Sequence, residues 1–191
     1  MPNLLLEIAY LGGNYAGSQI QKNGITIQDL LNKAVKKVFS QENVKTIFSG
    51  RTDAGVHACG QVVNVDVAKQ IKPFNVQKAL NSLLPTDIRV KKVEYADKNF
   101  NARYSALSRE YVYNILLAPN EPLFMQGKTW WLKEKLNIRL MKKAAKSFKG
   151  RQDWSSFCAA NSSAENKVRR VFVSKLKVTK LQTWPGNKKE K

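Results

Sequence analysis

At 191 residues the chain is long enough to bury a real core and to form one or two domains. Its 33 Lys and Arg against 14 Asp and Glu leave a formal charge of +19, which calls for an acidic partner. Nucleic acid is the commonest, because neutralising phosphates releases condensed counterions. Two distant cysteines, Cys59 and Cys158, and a single histidine, His57, argue against a zinc site, a disulfide framework and a Ser-His-Asp or Cys-His mechanism, which leaves any chemistry to carboxylate, Arg, Tyr or Lys. No 18-residue apolar run occurs, and the start, Met-Pro-Asn-Leu-Leu-Leu-Glu, is unlike a cleavable leader. The expectation is a soluble, reduced, cytoplasmic protein with no membrane contact. Charge is lopsided: residues 1–100 carry 13 basic and 8 acidic groups, residues 101–191 carry 20 and 6, so the second half is the electrostatic face.

In chain order, Leu4–Tyr10 is a short apolar strand followed by Gly12, Gly13 and Gly17. Thr26-Ile27-Gln28-Asp29 reads as a capping box, opening a helix whose Ile27, Leu30, Leu31, Ala34, Val35 and Val38 recur at helical spacing. Val44–Ser49 is a second strand. Gln61–Val67 is a half-buried third, with Val63, Val65 and Val67 alternating against Asn64 and Asp66. Val76, Leu80, Leu83 and Leu84 mark a second helix ended by Pro85, and Ile88–Tyr95 a fourth strand. The order βαββαβ is the ferredoxin-like arrangement, with two helices on one face of a four-stranded antiparallel sheet and the other face free for RNA or another domain.

A polar stretch, Asp97–Ser108, leads into Tyr111–Leu117, where Tyr111, Tyr113, Ile115 and Leu117 share one side of a strand. A domain boundary is placed near residue 104, giving an N-terminal domain 1–104 and a C-terminal RNA-binding domain 105–191. Asn137 starts a third helix with Ile138, Met141, Ala145 and Phe148 inward and Lys142, Lys143, Lys146 and Lys149 outward or flanking. Val168–Val178 reads as a last long strand. Thr183-Trp184-Pro185-Gly186-Asn187 reads as a hairpin turn before the charged Lys188-Lys189-Glu190-Lys191 end.

Between the second and third strands lies Gly50-Arg51-Thr52-Asp53-Ala54-Gly55-Val56-His57-Ala58. It offers one carboxylate, Asp53, in a glycine-bracketed loop two residues after Arg51. Gly50 and Gly55 allow sharp turns and close backbone approach. A neighbouring guanidinium keeps a carboxylate ionised and oriented, suited to act as nucleophile or base. As local chemistry alone, Asp and Gly in a turn ordinarily only shape it.

With its setting, the loop resembles the signature of the TruA family of tRNA pseudouridine synthases. Four further segments match in order: Tyr10-Leu11-Gly12-Gly13-Asn14-Tyr15-Ala16-Gly17-Ser18-Gln19; Ala79-Leu80-Asn81 with Leu84-Pro85; Phe100-Asn101-Ala102-Arg103-Tyr104-Ser105-Ala106 with Arg109-Glu110-Tyr111-Val112-Tyr113; and Asp153-Trp154-Ser155-Ser156-Phe157. The resemblance implies an α+β pseudouridine synthase fold, two ferredoxin-like subdomains sharing an antiparallel sheet. It implies isomerisation of uridine in the tRNA anticodon arm, at roughly positions 38 to 40, without cofactor or metal. Asp53 is then the catalytic aspartate and nucleophile, adding to the sugar or the base ring, with removal of a sugar proton as the remaining route. Arg51 contacts RNA and orients Asp53. Tyr111 stacks on the target base, and Arg103 contacts RNA. A homodimer with one tRNA across both subunits is also implied.

The family usually has an Asp where Leu11 stands and an aromatic residue where Ser18 stands, which weakens the expected RNA contacts of the early loop. Its members also continue with a return strand and an arginine-bearing helix, so a C-terminally truncated member with an incomplete second subdomain is expected. The alternatives are a catalytically impaired RNA-binding remnant of such an enzyme and an unrelated ferredoxin-like RNA-binding module.

Overall fold

A computed structural model of the chain describes residues 1–158 and 166–180. It divides into two compact units, Met1–Tyr113 and Asn114–Lys191. In the first unit the elements run β1 (Asn3–Tyr10), α1 (Ile27–Phe39), β2 (Ile47–Phe48), β3 (Ala58–Asp66), α2 (Pro73–Leu83) and β4 (Ile88–Ala96), with a 3₁₀ turn at Gly12–Asn14. The strands form one antiparallel sheet in the order β2-β3-β1-β4. The βαββαβ order expected from the sequence is present, and β2 is shorter than the expected Val44–Ser49.

Alternation decides which face is buried. Leu4, Leu6, Ile8 and Tyr10 of β1, Val63 and Val65 of β3, and Ile88, Val90 and Val93 of β4 are all buried in one cluster with Ile27, Leu31, Val35 and Phe39 of α1 and Val76 and Leu80 of α2. Thr26 caps α1, its hydroxyl accepting the Asp29 amide at 3.3 Å. The Asp29 carboxylate pairs with Lys33 at 2.7 Å instead of completing the box. Strand β4 contains a bulge: pairing with β1 slips between Glu7 and Ile8, so Lys91 and Lys92 are both exposed between buried Val90 and Val93.

One end of the opposite face is not free. Asn64 is only 4 % exposed, donating to Asn3 Oδ1 at 3.0 Å and to the Phe100 carbonyl at 3.3 Å, and accepting the Ala102 amide at 2.8 Å. Asn3 in turn donates to the carbonyls of Asp97 and Phe100 at 3.0 and 2.8 Å. The two buried amides thereby sew the 97–102 passage to the sheet, since a buried amide must spend its donors and acceptors on protein.

The second unit is built differently from expectation. β5 (Ile115–Leu117) pairs in parallel with β6 (Trp130–Leu132), α3 covers Ile138–Ser147, and β7 (Gly150–Asp153) pairs antiparallel with β8 (Val168–Val171). These are two separate two-stranded ladders, so a second ferredoxin-like subdomain sharing the first sheet is not formed among the described residues. Tyr111 and Tyr113 lie before β5, exposed rather than in a strand, and β8 stops at Val171, where β7, its partner among the described residues, runs out. Asn137 does cap α3, its side chain accepting the Leu140 amide at 3.0 Å. Phe148, Trp154 and Phe157 form a small aromatic cluster with centroids 5.5–5.9 Å apart. The expected turn at Thr183–Asn187 and the Lys188–Lys191 end lie outside the described residues.

Asn64→Ala is expected to cost about 2–3 kcal/mol, because it orphans the buried Ala102 amide and the Asn3 carboxamide oxygen. Urea denaturation followed by far-UV circular dichroism measures the cost, and amide exchange at Ala102, which reports the first unit directly, should accelerate with it.

Candidate active site

The loop between β2 and β3 is fixed at its start, middle and end by different parts of the first unit. At its start, Gln61 Nε2 donates to the Gly50 carbonyl at 2.7 Å and Gln61 Oε1 accepts from Ser49 Oγ at 2.6 Å. Arg109 lies over the same stretch: its Nε donates to the Ser49 carbonyl at 2.9 Å, and its Nη2 donates to that carbonyl and to the Arg103 carbonyl at 3.3 Å. A Cβ on Gly50 would meet Arg109 Nε at 3.1 Å. Gly50 is thus small to let this guanidinium pass, and it is not among the positive-φ glycines, contrary to the turn expected of it.

In the middle of the loop, all three polar groups of Thr52 bond to the end of β1 or to the segment after it. Its amide donates to Ser18 Oγ at 2.8 Å, its carbonyl accepts the Ser18 amide at 3.0 Å, and its hydroxyl meets Tyr10 OH at 2.9 Å. At the end, the Gly12 amide donates to His57 Nδ1 at 2.9 Å. A Cβ on Gly12 would sit 2.0 Å from the Val56 carbonyl oxygen, so only glycine allows the two backbones this approach.

Asp53 starts the tight turn between those anchors. The Val56 amide donates to its carbonyl at 3.2 Å, and Gly55 takes φ +80°, the sign that type II turns demand at their third residue. The Asp53 side chain is exposed. Of the other residues picked out from sequence, Arg51 is exposed in the same loop, and no ion pair joins it to Asp53 among the described residues. The backbone on the N-terminal side of the carboxylate is anchored at Thr52. Arg103 follows the passage sewn to Asn64, with its guanidinium 5.6 Å from the centre of the Tyr104 ring. Tyr111 is 71 % exposed two residues after Arg109. Arg109 brings the Arg103 backbone against the Asp53 loop.

Sequence reasoning passes over Tyr10, Ser18, Gln61 and Arg109 as holders of the loop, and over Asp87. The Asp87 carboxylate accepts from Tyr15 OH and, at 3.1 Å, from Asn14 Nδ2, while its carbonyl accepts the Leu11 amide at 2.9 Å. The α2–β4 connection thereby closes the turn that carries Gly12. Burial, and then the bond to Asp87, push the Tyr15 phenol well above its ordinary 10.0.

The residues in and around this loop match the model of the tRNA pseudouridine synthase family over residues 8–105. The chain belongs to that family. It is 40 % identical over 172 residues to tRNA pseudouridine synthase A of Pseudothermotoga lettingae, covering 90 % of this chain and 70 % of the relative. It is 44 % identical over 161 residues to that of Dictyoglomus thermophilum, covering 83 % and 65 %, and 39 % identical over 170 residues to that of Bacillus subtilis, covering 88 % and 69 %. The chain thus spans about two thirds of the length of these tRNA pseudouridine synthases. Among its described residues no helix is long and apolar enough to cross a membrane.

Tyr15→Phe tests the brace behind the loop. The folded state keeps a phenolic proton that the unfolded chain releases near pH 10, so the stability contributed by Tyr15 is complete below that pH and is lost as pH rises above it. The variant should lose about 2 kcal/mol at neutral pH and show a flatter decline between pH 9 and about 11. Urea midpoints across that range measure both.

Proposed function

We propose that the chain isomerises uridine to pseudouridine in the anticodon stem-loop of tRNA, at roughly positions 38 to 40, with Asp53 as the catalytic carboxylate and no cofactor, in the cytoplasm. The observation that carries this reading is the Asp53 loop itself: an exposed carboxylate on a turn whose flanks are tied down through the backbone of Ser49, Gly50 and Thr52 and through the imidazole of His57. Held in that way, it meets a substrate without first being ordered.

The reaction breaks the N1–C1′ glycosidic bond, turns the uracil and forms a C5–C1′ bond. N1 gains a proton and C5 loses one, so no oxidant, reductant or second substrate enters. As nucleophile, Asp53 holds the sugar or the base ring covalently while the other fragment turns. The target uridine must leave its stack to reach the turn, which costs a few kcal/mol. Exposed Tyr111 is suited to stack on the extruded base. Arg51 and Arg103, neither of them ion-paired among the described residues, are suited to phosphate contact. α3 adds Arg139, Lys142, Lys143 and Lys146 at spacings of three and four residues, all exposed, with no acid in the helix, a face that suits RNA backbone.

Incubation of the purified chain with unmodified tRNA, followed by mapping of pseudouridine, tests the reading. Product is expected from the wild type, with a drop of at least about 1000-fold in Asp53→Asn, whose amide keeps the shape and loses the nucleophile. Equal product from both proteins sinks the role of Asp53. Salt-dependent tRNA binding without product from either leaves only the RNA-binding remnant.

A further inference from the structure

Position 18, where the resemblance leads one to expect an aromatic residue facing RNA, holds a serine that is 1 % exposed. It is therefore closed to RNA and engaged within the protein. The Ser18 amide donates to the Thr52 carbonyl at 3.0 Å, and Ser18 Oγ accepts the Thr52 amide at 2.8 Å. The Ser18 carbonyl accepts the Gln28 amide at 3.0 Å, in the first turn of α1. Ser18 thus joins the start of α1, whose apolar face packs on the sheet, to the residue directly before Asp53. An isolated carboxylate at the tip of a loop would sample many positions; two bonds to its neighbour, backed by a helix, reduce them.

We propose that Ser18 is a positioning residue for Asp53, acting through its hydroxyl on the Thr52 amide. The proposal rests on the reading of Asp53 as the catalytic carboxylate. Without the hydroxyl, the Thr52 amide has no partner at that end, and the loop is held in the middle only by the backbone bond and the Tyr10 hydroxyl. Binding of tRNA does not touch Ser18, so affinity is untouched while the placement of Asp53 degrades.

The test compares wild type, Ser18→Ala and Ser18→Thr, the last keeping the hydroxyl, in two measurements. The first is amide exchange at Thr52, with Leu6 and Val63 as core references. The second is single-turnover pseudouridine formation at saturating tRNA, with the half-saturating concentration determined alongside. In Ser18→Ala, exchange at Thr52 should rise about tenfold with the references unchanged, and the saturated rate should fall about tenfold or more with half-saturation within about twofold. Ser18→Thr should restore both. If Ser18→Ala fails to fold, Ser18→Cys, of nearly equal volume with a weak sulfur acceptor, takes its place with the same expectation. Unchanged exchange at Thr52, or faster exchange with an unchanged rate, overturns the proposal. A wild type that forms no product overturns the catalytic reading first and the positioning role with it, and is told apart by the wild-type lane alone.

Discussion

Thr52 spends its amide, carbonyl and hydroxyl on Ser18 and Tyr10, and the arrangement of the first unit follows from keeping those bonds in place. Tyr10 ends β1 with its ring in the core and its hydroxyl on Thr52. Ser18 is tied to the first turn of α1. Gly12 carries the intervening turn close enough to bond His57, and Asp87 closes that turn from the far side of β1. The sheet and α1 therefore act on the middle and end of the Asp53 loop through one short segment, residues 10–18, while Gln61 of β3 holds its start. A helix-covered sheet is rigid on its packed face, and this segment passes that rigidity to a loop that is itself exposed.

The division of labour between the loop and its surroundings has a chemical rationale. On the proposed reading, an exposed Asp53 is hydrated before substrate arrives, and the water leaves when an extruded base covers the turn. What the protein provides beforehand is geometry, through uncharged hydrogen bonds to backbone. With Asp53 as the proposed nucleophile, an Arg51–Asp53 ion pair would compete for the carboxylate oxygen that attacks. Arg109 sits on the Ser49 and Arg103 carbonyls instead, linking the loop to the 97–103 passage without touching the carboxylate.

The core of the first unit was legible because its apolar residues keep strict periods: Leu4, Leu6 and Ile8 at two, Ile27, Leu31 and Val35 at four. The bulge in β4 leaves its own trace, since Ile88, Val90, Val93 and Tyr95 keep period two only if one residue is skipped between 90 and 93. Asn64 reads as a solvent position by alternation, yet is buried, because the chain returns over it 38 residues later. The same limit hides Ser18: nothing local distinguishes a serine facing water from one whose partner lies 34 residues on. Asp53 was found through its motif, a property of the segment itself. Its supports are long-range and were found only in three dimensions. Alternation from Tyr111 to Leu117 overstates the strand, because pairing begins only at Ile115 where Trp130 is available.

The central claim is that the carboxylate on this braced turn drives replacement of the uridine C5–H bond by a C5–C1′ bond. Release of tritium to water from tRNA carrying uridine labelled at C5 reads that event directly, at the atom where it occurs. Stoichiometric release by the wild-type chain, reduced to the uncatalysed background in Asp53→Asn with the fold intact, is the predicted result. Release at the same rate from both proteins would contradict the account.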